Sequence, residues 1–302
     1  MAIRVFVYGT LLRGQSNHGY ISAARLAAEQ ASVEGRLYDT GNGYPALRIG
    51  IAGEGGRVYG ELYDVNEEAL AALDALEDYY GPGDRRNEYE RVRVEVRTDR
   101  GSVSSWTYAY STDPKGRFEP IPLGDWRVHC RIVRSADRSD DDALPQWLYF
   151  AYGSCMDDRR FREHGVLSSF SDEVGRGTLN GYRLRFTCRL HDGGRADLVE
   201  EGGAAEGKLY RVGTEAASYL WRREGVEGGV YRPTFVTVRL DDGSFAEALT
   251  FLVVEKREET APPAEYMEEI LRGARTVVSE SYYAELERMA AAFRTRRPSD
   301  ER

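Results

Sequence analysis

No apolar run in this 302-residue sequence approaches the roughly 18 residues that a membrane-spanning helix needs, so no membrane partner is expected. The opening Met1-Ala2-Ile3-Arg4 passes directly into a strand-like run, with no apolar signal-peptide core in view. Cysteine is scarce. Cys130, Cys155 and Cys188 lie far apart, form no Cys-x-x-Cys, and suit a reducing cytoplasm without structural disulfides. His18, His129, His164 and His191 share no ligand spacing with them, which argues against a zinc site and places each on the surface or in a loop. Positive charge is also in deficit. With 41 Lys and Arg against 50 Asp and Glu the net charge is −9, and the absence of a basic stripe argues against nucleic acid as a partner. Neither G-x-G-x-x-G nor G-x-x-x-x-G-K-[ST] occurs, so the glycines form no nucleotide loop of either kind.

What the chain does contain is a repeat. Val5-Phe6-Val7-Tyr8-Gly9-Thr10-Leu11 is answered by Tyr149-Phe150-Ala151-Tyr152-Gly153-Ser154-Cys155, both apolar β-type runs ending in Tyr-Gly-(Thr/Ser). Gly60-Glu61-Leu62-Tyr63 is answered by Gly207-Lys208-Leu209-Tyr210. A glutamate follows each of these glycines 17 residues later, Glu77 and Glu224, and lies 69 residues after Tyr8 and 72 after Tyr152. A period near 145 is too long for a solenoid and agrees with about 150 residues per domain, so the chain reads as a duplicated domain.

Each half reads as strands around one clear helix. Val58 to Val65 alternates like a strand, and Asn66 then caps a helix whose first turn holds Glu67 and Glu68 and whose apolar stripe is Leu70, Leu73 and Leu76. Arg91 to Val96 and Val103 to Tyr110 alternate again across the turn Asp99-Arg100-Gly101-Ser102. In the second half Leu209 to Val212 is strand-like, Thr214 is the expected helix cap, and Phe235 to Leu240 and Phe245 to Val254 form a further strand pair. The polar stretch Arg134 to Asp142 has the composition of a linker. It divides the chain into expected domains 1–134 and 147–302. After Pro262-Pro263 a helical stretch runs from Glu265 to Phe293, broken near Gly273 and Ser279. This pattern predicts an α+β fold: two tandem mixed β-barrel domains with few helices.

The informative residue in each half is the glutamate. Glu77 follows Leu73 by four and Leu70 by seven, so it lies on the apolar face of its helix; Glu224 repeats this after Leu220 and Ala217. A single glutamate at a helix end is ordinarily solvated. Recurrence at the same offset favours a carboxyl held against apolar side chains, its charged form disfavoured and its pKa moved towards neutrality, as a general acid/base needs. The Tyr-Gly-(Thr/Ser) elements read either as strand ends with a tight glycine turn or as turns whose N–H groups converge on a carboxylate or oxyanion. Their recurrence beside a glutamate favours the second.

Taken together, these residues resemble the γ-glutamylcyclotransferase superfamily, with its AIG2-like and BtrG-like folds. The second half, about 148–290, carries Phe150-Ala151-Tyr152-Gly153-Ser154, then Glu224-Gly225-Val226, Tyr231, Ala261-Pro262-Pro263, Tyr266 and Gly273-Ala274. The first half, about 3–128, resembles the shorter AIG2-like branch through Tyr8-Gly9-Thr10-Leu11, Leu73-Asp74-Ala75-Leu76-Glu77, Tyr89-Glu90-Arg91 and Gly124-Asp125-Trp126. The resemblance implies catalytic roles for Glu224 and Glu77. It implies that Tyr8, Gly9, Thr10 and Leu11, and likewise Tyr152, Gly153, Ser154 and Cys155, hold a γ-glutamyl head group, with Tyr266 lining the second pocket. The implied reaction is intramolecular aminolysis: the α-amine attacks the γ-carbonyl, giving 5-oxoproline and releasing an amine or amino acid, with no metal, nucleotide or covalent intermediate. The rival reading is a binding module that keeps the fold without turnover. The sequence departs from the family in three ways: Cys155 stands where this branch usually has asparagine, Asp78 replaces the glycine usual after the glutamate, and residues 78–88 add a charged loop. Cys155 reads as a small buried residue in preference to a nucleophile, since no histidine is placed to activate it.

Overall fold

The computed structural model describes residues 2–50, 55–133 and 145–296, and its contacts divide the chain into two units, Met1–Arg138 and Ser139–Arg302. The first contains strands β1 (Ile3–Val7), β2 (Arg25–Glu34), β3 (Arg36–Asp39), β4 (Pro45–Arg48), β5 (Arg57–Val65), β6 (Tyr89–Thr98), β7 (Gly101–Tyr110) and β8 (Glu119–Ile121), with helices α1 (Glu67–Leu76) and α2 (Trp126–Val128). The second contains β9 (Trp147–Ala151), β10 (Glu173–Asn180), β11 (Arg183–Leu190), β12 (Gly193–Val199), β13 (Ala204–Val212), β14 (Tyr231–Arg239) and β15 (Phe245–Val253). Its helices are α3 (Asp158–Glu163), α4 (Thr214–Arg223), α5 (Ala264–Ala274) and α6 (Glu280–Arg296).

Each unit is built on a closed five-stranded barrel. Followed from the strand that carries the Tyr-Gly turn, the rings run β1-β5-β2-β6-β7 and β9-β13-β10-β14-β15, the same order in both. Every pairing is antiparallel except the one that closes each ring, β1 with β7 and β9 with β15. A separate hairpin, β3-β4 or β11-β12, packs beside each barrel, and β8 extends the first of these. The α+β double barrel expected from the repeat is therefore present. The strands β2 and β10 and the two hairpins are not legible in the sequence pattern.

The recurring words mark places where the barrel is tight. Val5, Phe6 and Val7 are all nearly inaccessible, as are Tyr149, Phe150 and Ala151, so each strand is covered on both faces and loses the polar alternation of a half-exposed strand. Gly60 and Gly207 lie where the second strand of each ring crosses the end of the first. A Cβ there would stand 2.1 Å from the Val7 carbonyl oxygen or 2.3 Å from that of Ala151. Only hydrogen fits.

Next to these glycines the two halves have exchanged charge. Glu61 is buried and accepts from Arg127 Nη2 (2.7 Å), the Arg13 backbone N–H (3.0 Å) and the Tyr63 hydroxyl (2.9 Å). Its counterpart Lys208 is equally buried and pairs with Asp158 (3.1 Å) and Glu173 (2.6 Å), and Asp158 accepts from Tyr210 (2.7 Å). A buried charge persists only if its partners change with it, and here the partners come from different elements.

Asn66 caps α1 as expected, its side chain accepting from Ala69 N–H at 2.8 Å. Thr214 does not cap α4. The capping position is Gly213, with no side-chain bond, and Thr214 is the first helical residue. The C-terminal helical stretch breaks between α5 and α6, and Gly273 lies inside α5 against the Met156 backbone. Arg134 to Asp142, read above as the linker, falls outside the described residues.

Candidate active sites

Each barrel presents the same assembly at the end of its first strand. The Leu12 N–H returns to the Gly9 carbonyl at 3.1 Å, and the Met156 N–H returns to the Gly153 carbonyl at 3.1 Å, so both turns fold alike. In the first, the N–H groups of Thr10 and Leu11 make no hydrogen bond among the described residues. The tyrosine before each glycine fastens the turn across the ring closure: Tyr8 donates to the Tyr108 carbonyl at 2.6 Å, and Tyr152 donates to that of Phe251. Threonines one residue before those carbonyls tie the closure again, Thr107 to the Phe6 carbonyl (3.0 Å) and Thr250 to that of Phe150 (2.9 Å). A second tyrosine, at the start of β6 and β14, reaches the adjacent hairpin: Tyr89 donates to the Pro45 carbonyl (2.8 Å) and Tyr231 to that of Ala196 (2.7 Å).

The glutamates arrive by the same device. Each is the last half-helical residue of its helix, and the chain beyond closes a Schellman turn. Tyr79 N–H bonds the Asp74 carbonyl (2.9 Å), as Val226 N–H bonds that of Trp221 (3.2 Å), with Gly225 N–H on Arg222 (3.2 Å). This motif needs one left-handed residue just after the glutamate. Gly225 supplies it at φ 62°, and Asp78 supplies it at φ 47°, the sole non-glycine residue with positive φ among those described. Aspartate tolerates that region better than most residues. The substitution noticed in the sequence thus leaves the helix end, and the placement of Glu77, intact.

All the residues singled out from sequence converge. Tyr8, Gly9, Thr10, Leu11 and Glu77 line one cavity of about 370 Å³, joined by Tyr89, Tyr108 and Glu88. Tyr152, Gly153, Ser154, Cys155, Glu224 and Tyr266 line another of about 300 Å³, joined by Tyr231, Arg223 and Arg195. The Glu224 carboxylate lies 3.7 Å from the Cys155 sulfur, directly against the turn. Tyr266 accepts from Ala196 N–H at 3.3 Å beneath the Arg195 guanidinium, and burial pushes its phenol up to about 12. Cys155 is buried, and burial pushes its thiol up. No group of three or more His, Cys, Asp and Glu able to hold a metal occurs among the described residues.

The electrostatics of the two sites differ. Burial raises the Glu77 carboxyl to about 8, and the nearby Glu88 and Asp78 carboxylates push it the same way. Burial also raises Glu224, but there the Arg223 guanidinium and the Cys155 thiol oppose the shift. Arg223 and Glu88 were not found from sequence, because the repeat selects what the halves share. Arg223 stands where the first half has Leu76, and Glu88 belongs to the 78–88 loop that only the first half contains.

Two barrels, each with a Tyr-Gly-(Thr/Ser) turn facing a helix-end glutamate, define a protein class, and the sequence comparisons agree with it. The family profile described as γ-glutamyl cyclotransferase, AIG2-like, matches residues 5–128, and that of the AIG2-like family matches residues 204–286. YkqA of Bacillus subtilis (strain 168), a protein whose γ-glutamylcyclotransferase name is provisional, is 40% identical over 284 residues, 94% of this chain and 96% of YkqA. Its crystal structure covers 97% of this chain and 98% of its own with a TM-score of 0.84. A γ-L-glutamyl-butirosin B γ-glutamyl cyclotransferase of Niallia circulans is 47% identical over 144 residues, 48% of this chain and 87% of that protein. The chain belongs to the γ-glutamylcyclotransferase superfamily, as a tandem, two-barrel, γ-glutamylcyclotransferase-like enzyme.

Proposed function

We propose that the protein converts a γ-glutamyl compound to 5-oxoproline and a free amine or amino acid, with Glu224 in the second half and Glu77 in the first as general base and acid. The observation that carries this is the pairing, in each half, of a glutamate fixed by a Schellman turn with the Tyr-Gly turn on one cavity wall. The substrate's α-ammonium gives a proton to the carboxylate, and the freed nitrogen attacks the γ-carbonyl carbon to form the lactam bond. The carbonyl oxygen becomes an oxyanion beside the turn. As it collapses, the bond to the leaving nitrogen breaks and that nitrogen takes the proton from the carboxyl group. The attacking nitrogen still carries its second ammonium proton after the bond forms and gives it to the carboxylate once the first has passed on. The departing amine takes it up as its ammonium. Two protons thus pass from one nitrogen to the other, charge is conserved and no cofactor is required. General acid/base catalysis of this kind is worth roughly 10²–10⁴-fold and an oxyanion donor roughly 10²–10³-fold. The backbone of Gly9 to Leu11 and Gly153 to Cys155 is assigned to the head group, with Tyr266 closing the second pocket. Each proposed domain, 1–134 and 147–302, is a working unit in this reading. The sparse, widely spaced cysteines support a cytoplasmic location in this reading.

A panel of γ-glutamyl amino acids and γ-glutamyl amines, assayed for 5-oxoproline release, tests the reading. Turnover that survives in the Glu77→Gln/Glu224→Gln double variant would refute it. A second reading, in which the second half turns substrate over and the first binds or scaffolds, is favoured by one observation. Near pH 7 the Glu77 carboxyl, raised to about 8, is mostly protonated and a poor base.

A further inference from the structure

We propose that Arg223 anchors the α-carboxylate of the γ-glutamyl head group in the second cavity, making that site selective for substrates in which this carboxylate is free. The inference rests on the reaction assigned above. The Arg223 side chain is only 13% exposed and lines the cavity. Its Nε donates to the Cys155 sulfur at 3.2 Å and its Nη2 to the Ser154 hydroxyl at 3.1 Å, so it lies over the two side chains of the head-group turn. A guanidinium has five N–H groups. Cys155 and Ser154 engage two of them, which leaves donors for a ligand.

Charge balance points the same way. The other cations lining this cavity are already paired, Arg160 with Glu269 at 2.8 Å and Arg195 with Asp192 at 2.7 Å. Arg223 has Glu224 as its acid, 3.7 Å away. When Glu224 takes the substrate's ammonium proton it becomes neutral, and a buried guanidinium is left without a counter-ion, an expensive state. The α-carboxylate restores the balance. Its position follows from covalent geometry, because its carbon is bonded to the same atom as the amine. An amine within reach of Glu224 carries its carboxylate to the residue beside Glu224. A guanidinium can meet it in the two-pronged arrangement that carboxylates favour.

The first cavity is the internal contrast. Leu76 stands in the place of Arg223, and no Lys or Arg lines that cavity among the described residues. A head group there has only neutral donors for its carboxylate, and discrimination at the first site is correspondingly weaker.

The test uses the full chain with the first site silenced by Glu77→Gln. Two substrates are compared, a γ-glutamyl anilide and the same compound with its α-carboxylate converted to the carboxamide. With Arg223 present, kcat/KM favours the acid by about 10–100-fold, the scale of an unpaired buried charge. Arg223→Leu brings that ratio to within a few-fold of unity, chiefly by raising KM for the acid, and Arg223→Lys retains part of it. If Arg223→Leu keeps the preference, or if both arginine variants lose the two substrates equally, the anchor is refuted. A second readout needs no turnover: calorimetry with 5-oxoproline, which retains the carboxylate. The parent binds at two sites, and Arg223→Leu weakens one of them at least about 10-fold. Should no γ-glutamyl compound be turned over while this loss in binding persists, the reaction fails and the anchor stands. If turnover proceeds and Arg223→Leu alters neither selectivity nor binding, the anchor fails and the reaction stands.

Discussion

A glutamate is a useful base only while it is ionised, and the two in this protein are set differently. Glu77, at about 8, gains its base form as pH rises through 8 and loses it below. In the Glu224→Gln variant, the residual 5-oxoproline release attributed to the first site should therefore rise steadily from pH 6.5 to 9. A flat profile over that range would show that Glu77 is not its base. Glu88→Gln removes a carboxylate that pushes Glu77 upward, and it should shift the rise to lower pH. Stability carries the same signature. A carboxyl raised in the folded state from the ordinary 4.5 binds more protons folded than unfolded, so its effect on stability grows unfavourable as pH climbs from about 4.5 to about 8. Glu77→Gln should leave urea unfolding nearly unchanged at pH 4 and raise stability by about 1–3 kcal/mol at pH 9. At the second site Glu224→Gln should lower turnover by roughly 10²–10⁴-fold while substrate affinity changes far less.

At the level of elements, the helix end is what aims each carboxylate, and it tolerates one change of residue without moving. Asp78→Gly relieves a left-handed aspartate and should stabilise the protein by about 1 kcal/mol in chemical denaturation, with the first site's geometry retained. The strand crossings are far less tolerant. Gly207→Ala would press a methyl group into the Ala151 carbonyl, immediately before Tyr152, and Gly60→Ala would do the same at Val7, before Tyr8. Each should cost about 3 kcal/mol or more and depress the activity of its own barrel well beyond the other. Equal loss in both barrels from either change would argue against this local account.

On the scale of the whole molecule, duplication has kept the device and changed its surroundings. The ring order, the tyrosine and threonine ties across the closure, and the Schellman glutamates are common to both units. The buried charge beside the crossing glycine, the residue before the glutamate and the loop after it are not. Activity should accordingly be a sum of two independent terms, each removed by its own glutamine substitution, and EDTA should leave both unchanged. Loss with EDTA that a divalent metal restores would require a different mechanism.

Much of this was written in the chain itself. Two copies of a short word at matched spacing fix a duplicated domain, because a strand, a crossing glycine and a helix-end carboxylate recur together only if the same backbone recurs. The cap at Asn66, the helix stripe and the central strand pairs are local, and local pattern specifies them. The sequence could not specify what depends on distant partners. Strands β2 and β10 and the hairpins have no strict alternation, since what covers each face is set by the barrel around it. Ring closure by a parallel pair joins residues about 100 positions apart, Val5 with Trp106 and Leu148 with Ala248. The expected cap at Thr214 failed because backbone geometry placed Gly213 there instead. Arg223 has no counterpart in the first half, and only the folded chain lays its guanidinium across Ser154 and Cys155, some 69 residues earlier, and 3.7 Å from the Glu224 carboxylate.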